Sequence, residues 1–557
     1  MASIMTEEEI QDLTDRVFLL KEKIESGKMR ISSHLIDGFS ESYRKIKLRS
    51  DGLVDPSTVD GRIRASSLAI KAMQYRKELK NAASLTDVQI AYFRILFNEF
   101  GHMYEMMVKA NSTPYKISSF FSENSDFVND IINSCEDFFA GILEFWENAA
   151  EIGLIHLQDG KQLKANFAGD LFPSYEENAV SIAGLYIDTI VLPCPIIRIM
   201  HLKGHMPNDE FVRILLKHIF TAMTYKELAT EDIKPNIVVI IPNQQDIDLG
   251  SKKSLVERNT PLALKHANYL FEREFESIEH FHNYCTSLIG IDQVLREIKR
   301  PERLLFDTEW KNSARVQLEN AMKSPMYLPS GNYPDIPGMY IFSACISRIS
   351  QACAALENSI SLGGTPFINA KTSWEYYTWL LEYKSETLDV DDRTNKNMHI
   401  VHALASENDN DLAWLGSVPT DSILKIRRNG LADEIRNLLG EGIDGLIKNQ
   451  PRNYFQTAER ITSNLDIAFR THQKKLMEAK TKKLKLYGID VGGCAVFGTI
   501  AIAAAVTANP ILCATTAAVS LMGVSNIKDI RTKFKEQSDA RKAYEKTPTG
   551  ILFSHIK

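Results

Sequence analysis

The chain has 557 residues, of which 44% are hydrophobic and 24% charged, and its formal net charge is −6 at pH 7. This length suffices for several domains, and the mildly acidic balance does not indicate nucleic acid as an obligate partner. The seven cysteines are scattered and never spaced as CxxC, which argues against a disulfide framework and a zinc ribbon. The first residues, MASIMTEEEIQDL, lack a basic stretch followed by an apolar one. We therefore expect no secretory signal and a cytoplasmic location.

Helical patterns fill residues 1–150. Thr6 and Glu9 have the spacing of a capping box, which predicts a helix from there to about Glu25. Three further segments carry apolar residues at helical spacing, and Thr86 is the predicted N-cap of the second one; they are 67–82, 87–109 and 126–149. We predict an N-terminal helical bundle over residues 1–150.

Residues 151–323 read as a mixed α/β middle domain. Two short runs rich in β-branched residues, 186–195 and 236–242, end in proline and predict strands. Two isolated strands do not predict a doubly wound sheet, and neither is followed by a G-x-G-x-x-G or Walker A motif. No cofactor and no metal site are predicted. Asp188, inside the first run, is expected to be a hydrogen-bonded structural residue rather than a catalytic carboxylate.

Residues 324–338 hold four prolines and two glycines, which is the composition of a linker. Helices are predicted beyond it, at 339–361, 373–385, 397–406, 422–448 and 454–486. The expected fold is mainly α: a multidomain helical protein with a few short strands in the middle region and a C-terminal apolar helical hairpin. Its predicted units are 1–150, 151–323, the linker 324–338, a helical domain 339–486, and a C-terminal domain 487–557.

The most distinctive segment is 491–527, which runs 37 residues without a charged side chain. Asn509-Pro510 divides it into two apolar arms, because proline cannot donate a backbone N–H and disfavours helix at the residue before it. The arms hold 18 and 15 residues, about 27 and 22 Å of helix, against the ~30 Å core of a bilayer. The residues predicted to form the membrane-interacting part of this hairpin are Val496, Ile500, Ile502, Ala504, Val506, Asn509, Pro510, Leu512, Val519 and Leu521.

Basic residues flank the predicted hairpin on both sides. They are Lys480, Lys482, Lys483 and Lys485 before it, and Lys528 and Arg531 after it. Basic flanks predict that both ends stay in the cytoplasm and that they attract anionic lipid headgroups. In composition the segment resembles the hydrophobic helical hairpin of pore-forming colicins. The segment is rich in Ala, Gly, Thr and Ser, which let two helices approach closely both in membranes and in tight soluble cores. Two interpretations therefore stay open: membrane insertion, and a hairpin buried in a soluble domain.

A second hypothesis concerns Arg393 and His399, which have the R-x(4–6)-H spacing of HEPN-type ribonucleases. That resemblance implies an all-helical, metal-independent enzyme acting on RNA. Histidine would serve as general acid or base on a ribose hydroxyl, and arginine would stabilise the charge on phosphate. Three other Arg/His pairs share this spacing, so only the position of this pair, at the entry to a predicted helix, favours it.

The leading functional hypothesis is a bacterial-type intracellular effector, related to toxins or antiviral defence, whose C-terminal hairpin acts on a membrane. It implies an anionic membrane as partner, regulation by another protein or by self-association, and conditional association with the inner membrane. It does not involve nucleic acid and does not favour an enzyme. The alternatives are the ribonuclease and a non-catalytic helical interaction scaffold with a buried hairpin.

Overall fold

The computed structural model describes residues 5–28, 36–169, 179–306, 312–323, 334–384, 391–406, 420–449 and 454–485. Within them the chain is mainly helical with one small parallel sheet. The predicted hairpin at 491–527 and the basic residues that follow it lie outside the described residues. The chain divides into two compact units, Met1–Ala91 with Phe145–Gly160, and Tyr92–Glu144 with Lys161–Lys557. The linker and domain boundaries taken from the sequence stay predictions.

The first unit contains α1 (Glu7–Glu25), α2 (Ile36–Arg44), α3 (Gly61–Ala82), the start of α4 (Leu85–Lys109) and the end of α6 (Ser125–Asp159). The capping box of α1 is confirmed: Glu9 N donates to Thr6 Oγ1 (3.2 Å), and Thr6 N donates to the Glu9 carboxylate (2.7 Å). This exchange satisfies two N–H groups at the helix end. The helix therefore begins and ends where the sequence predicts.

The N-cap predicted for α4 is wrong, because the helix begins at Leu85 and Thr86 lies inside it. Ser84 caps it instead. Asp87 N donates to Ser84 Oγ (3.1 Å), and Ser84 N donates to Asp87 Oδ2 (3.1 Å). The serine and the aspartate stand three residues apart, so they reproduce the capping-box exchange with a shorter acid.

The second unit contains the remaining elements. Its strands are β1 (Lys164–Phe167), β2 (Thr189–Leu192), β3 (Val238–Ile240) and β4 (Thr365–Phe367). Its further helices are α5 (Pro114–Ser122), α7 (Ala179–Ala183), α8 (Pro195–Ile199), α9 (Asn208–Thr224), α10 (Lys226–Thr230), α11 (Gln244–Ile247), α12 (Leu249–Phe271), α13 (Ile278–Thr286), α14 (Ile291–Glu297), α15 (Ala314–Met322), α16 (Pro337–Ser361), α17 (Lys371–Tyr383), α18 (Asp392–Ser406), α19 (Thr420–Arg428), α20 (Ala432–Gly440), α21 (Ile443–Asn449) and α22 (Tyr454–Lys485).

The four strands form one parallel sheet in the order β3-β2-β1-β4. The two predicted strands are confirmed as β2 and β3. The expectation that they stand alone is wrong, because β1 and β4 belong to the same sheet. After β1 the chain adds β2 and then β3 on one side of β1, and later adds β4 on the other side of β1. This reversal of strand order is that of doubly wound sheets. Pro366 lies within β4, the edge strand, where a missing N–H donor is tolerated.

Helix α16 is the central helix of the second unit and contacts β1 and β4. Among the described residues it alone is long and apolar enough to cross a membrane. Its buried residues divide between two hydrophobic clusters, one with α12 and α13 and one with α17. At Gly338 a Cβ atom would lie 2.0 Å from the carbonyl oxygen of Cys285. These contacts identify α16 as a core helix that requires glycine at this close approach.

The single helix expected over 422–448 is wrong, because the structure divides this stretch into α19, α20 and α21. Gly430 (φ +67°) and Gly442 (φ +76°) stand at the two breaks. Positive φ is readily adopted by glycine and ends a right-handed helix. The division lets arginines on α19 and α20 approach the sheet, which matters for the site described next.

Candidate functional site

The sequence-predicted pair Arg393 and His399 lies on α18, but the two side chains have different surroundings. Arg393 is exposed, whereas His399 is 0% exposed. Six positions along an α-helix place two side chains about 120° apart around its axis. His399 Nδ1 lies 2.9 Å from Thr457 Oγ1 of α22 in a hydrogen bond. In the described contacts, Arg393 and His399 therefore do not share one surface on which both side chains could contact RNA.

His399 belongs to an aromatic group that joins α17, α18 and α22. Its ring stacks on Tyr454 with centroids 4.2 Å apart. One turn further along α18, the His402 ring stacks on Trp374 with centroids 3.6 Å apart and an angle of 8° between the planes. Tyr454 meets Trp374 edge-on at 5.0 Å. We call His399, His402, Trp374, Tyr454 and Thr457 the histidine clasp.

The histidine clasp favours uncharged imidazole at His402. Burial, and to a lesser extent the adjacent His399, lowers the pKa of His402 to about 3. The physical cause is that an imidazolium loses its hydration among the rings of Trp374 and Tyr454. At neutral pH His402 is therefore an uncharged packing residue, and its charged form is disfavoured in the docked position of α22.

A second contact joins the C-terminal helices to the sheet, around Asp188 just before β2. Arg427 of α19 donates from Nη1 to Asp188 Oδ1 (2.7 Å) and from Nη2 to the Ile187 carbonyl. Arg436 of α20 also donates to Asp188 Oδ1, and its Nε donates to the Tyr186 carbonyl (2.7 Å). Asp188 Oδ2 accepts from Leu163 N (2.9 Å). This carboxylate is fully engaged in hydrogen bonds, as the sequence led us to expect for Asp188.

The charge state of Asp188 follows from these partners. Burial would raise its pKa, but the hydrogen bonds from Arg427 and Leu163 and the charge of Arg436 outweigh burial and hold the pKa below its ordinary value. The Arg427 side chain is 7% exposed and that of Asp188 is 15% exposed. The cluster is therefore an ionised group of low exposure that would be costly to break from one side.

Helix α22 connects these contacts to the apolar segment. Its buried residues recur at helical spacing in its first half; they are Thr457, Ala458, Ile461, Asn464 and Leu465. They pack against α18, α20 and α21. Lys480, Lys482, Lys483 and Lys485 belong to its last turns, and the charge-free segment begins six residues after α22 ends. The folded part of the chain thus holds the helix that leads into the predicted hairpin.

Among the described residues no group of three or more His, Cys, Asp or Glu side chains could hold a metal ion. Comparison with protein-family models, with curated proteins and with solved structures gives no significant match. Function therefore has to be argued from this chain's own contacts.

Sequence reasoning missed the partners that define both contacts. Arg427 and Arg436 are separated from Asp188 by more than two hundred residues along the chain. Nothing in their local pattern marks them: Arg427 lies in the last turn of α19, where basic residues are common and favoured, and Arg436 is one of several charged residues on α20. Tyr454 and Thr457 carried one usable signal: they open the predicted helix 454–486 and lie on one face at i and i+3.

Proposed function

We propose that this chain is an intracellular effector that acts on a membrane through its C-terminal apolar hairpin. One observation carries the proposal: 37 consecutive residues without charge begin six residues after the lysine-rich end of α22. A charged side chain at the bilayer centre costs about 2.5–3.5 kcal/mol, so a stretch free of charge is what insertion requires. Lysines on both sides favour a hairpin that enters and returns to the same side.

The described contacts support a regulated form of this activity. Helix α22 is anchored by its first half, through Tyr454 and Thr457 to α18 and through Asn464, whose Nδ2 donates to the Glu441 carbonyl (3.0 Å). The hairpin is thus attached to a folded body through one helix. We propose cytoplasmic residence with conditional association with the inner membrane, where anionic lipids would attract the lysines of the flank. Another protein or a second copy of the chain would regulate this step.

The test compares the full-length chain with a version that ends at Lys485, by cell fractionation and membrane potential in the same cells. Membrane association or depolarisation that requires the last 72 residues supports the proposal. A full-length chain that stays soluble in cells and also fails to bind anionic vesicles when its last 72 residues are presented after mild unfolding contradicts it.

A point substitution distinguishes membrane insertion from a buried soluble hairpin. Ala504→Asp places a charge in the first apolar arm and should abolish membrane association while the rest of the chain stays folded. Ala540→Asp, in the charged region beyond the hairpin, is the matched control and should leave association unchanged. If Ala504→Asp instead lowers the thermal stability of the soluble protein, the hairpin is core, because an unpaired charge has been buried.

A further inference from the structure

The histidine clasp places two histidine rings at the contact between α18 and α22. His399 and His402 lie one turn apart on α18, and both rings meet Tyr454 of α22, at 4.2 and 5.6 Å between centroids. Protonating His402 would place a positive charge inside this group of rings and beside a second imidazole. Burial and the neighbouring imidazole both oppose that charge.

No carboxylate in the described surroundings compensates a charge on His402. Helix α17 presents Trp374 and Tyr377, and α22 presents Tyr454. On α21, Asp444 is paired with Lys396 of α18 at 2.8 Å. Two further elements that pack on α18 are α7 and β4, whose sequences AVSIA and TPF contain no ionisable residue. His399, whose ring also meets Tyr454, is the second imidazole in this group.

We propose that the histidine clasp is an acid-sensitive latch, which holds α22 on α18 at neutral pH and releases it when the pH falls. The proposal rests on the proposed function for its consequence, since a freed α22 would carry the apolar hairpin to a membrane. The release itself concerns only described residues. It makes the docking of α22, rather than the fold of the sheet, the step that responds to acid.

The direction of the pH effect on docking follows from the pKa of His402 in the docked and in the released state. Its pKa is about 3 when α22 is docked and about 6.5 when the side chain is free in water. Docking therefore stabilises only the neutral form, so the stability is fully present above pH 6.5 and is lost as the pH falls from 6.5 toward 3. Between about pH 7.5 and 5.5 the docking equilibrium should weaken about tenfold.

The ring of Trp374 opposes this effect, because an aromatic face attracts a cation that lies over it. If that attraction exceeded the loss of hydration, acid would tighten the latch. The pKa of His402 in the folded protein decides between the two and is measurable by NMR with labelled histidine. A value below 6.5 is expected, and a value above 6.5 overturns the proposal.

The experiment follows hydrogen exchange of the full chain at about pH 7.5 and 5.5, corrected for the intrinsic pH dependence of exchange. Amides in the docked half of α22 should exchange about tenfold faster at the lower pH, while those of β1 to β3 change less. His402→Phe keeps a stacked ring without a titrating group and should remove this acid response. His402→Gln is the second variant, and it should remove the pH dependence even if it weakens docking at both pH values.

His218→Gln is the matched control. Burial also lowers the pKa of His218 on α9 to about 3, but none of the clasp residues lies on that helix. If His218→Gln removes the response of α22 as fully as His402→Phe does, the response is global acid unfolding and the latch is wrong. The latch is also wrong if α22 exchanges at the same corrected rate at both pH values.

Membrane action is read separately, with vesicles of phosphatidylcholine and phosphatidylglycerol in equal amounts. Acid-dependent leakage that His402→Phe prevents supports latch and function together. Faster exchange of α22 in acid without leakage or vesicle binding keeps the latch and contradicts the membrane function. Leakage that is equal at both pH values keeps the function and contradicts the latch.

Discussion

Two polar side chains of low exposure, one just before β2 and one on the neighbouring strand β1, have opposite surroundings. Asp188, just before β2, receives hydrogen bonds from Arg427, Arg436 and Leu163. Asn166 on β1 is 1% exposed, and neither atom of its side-chain amide has a hydrogen-bond partner among the described residues. The contrast shows which side chain links separate elements of the second unit: Asp188 joins the sheet to the C-terminal helices, whereas the amide of Asn166 makes no such link within the described residues.

The difference has a direct energetic meaning. A buried charge with its partners in place contributes little beyond what apolar packing would, yet removing one partner leaves the others desolvated and unpaired. A buried amide without partners has already lost its hydrogen bonds to water, at a cost of about 1–3 kcal/mol. Substitution at Asp188 should therefore be harmful and substitution at Asn166 should be tolerated.

The largest expected effect is that of Asp188→Ala. It leaves Arg427 and Arg436 without their carboxylate, and should lower the free energy of unfolding by about 3–5 kcal/mol. Urea unfolding followed by circular dichroism measures this. The control is Glu231→Ala, which removes a carboxylate from the more exposed pair with Arg428 and should cost at most about 1 kcal/mol. Equal losses in the two variants would mean that burial of the Asp188 cluster adds nothing.

Arg427→Lys tests whether geometry or charge matters at the cluster. The guanidinium of Arg427 reaches the Asp188 carboxylate and the Ile187 carbonyl at once, which a single ammonium cannot reproduce. We expect a loss of about 1.5–3 kcal/mol in the free energy of unfolding, smaller than for Asp188→Ala. Arg428→Lys, at the exposed neighbouring position, should be near neutral. If Arg427→Lys left the free energy of unfolding unchanged, charge alone would hold the cluster.

Part of this contrast was accessible from sequence. The β-branched runs that end in proline predict β2 and β3, and the structure confirms both. These two strands were predictable because a local run of β-branched residues favours a buried strand. Strand β1 has four residues and β4 has three with Pro366 among them. They are as short as β2 and β3 but contain no run of β-branched residues, so pairing with β2 and with each other defines them. The sheet is therefore a property of the folded chain more than of any local stretch.

The same reasoning applies to the candidate site. The spacing of Arg393 and His399 resembles that of HEPN-type ribonucleases, but the spacing alone does not say which face of α18 is buried. The contact of His399 with Thr457 decides this, and it joins residues 58 positions apart in the chain. The hydrogen bonding of Asp188 was predictable, whereas its arginine partners were not, because Arg427 and Arg436 lie more than two hundred residues away in the chain and only tertiary packing brings them to the sheet.

The smallest expected change in stability is that of substituting Asn166. Whether this substitution stabilises or destabilises the protein is the sharpest test of the difference between Asn166 and Asp188. Asn166→Val replaces an amide that makes no hydrogen bond with a β-branched residue suited to a strand, and should leave stability unchanged or raise it by about 1 kcal/mol. The matched control is Asn236→Val just before β3. Asn236 is also buried, at 5% exposed, but its Nδ2 donates to the Ala229 carbonyl (2.9 Å). Urea unfolding should show that the control loses about 1–3 kcal/mol, because that carbonyl is left unpaired. If both asparagines prove equally costly to replace, the amide of Asn166 has a partner in solution, and the two polar groups of the sheet differ less than their contacts imply.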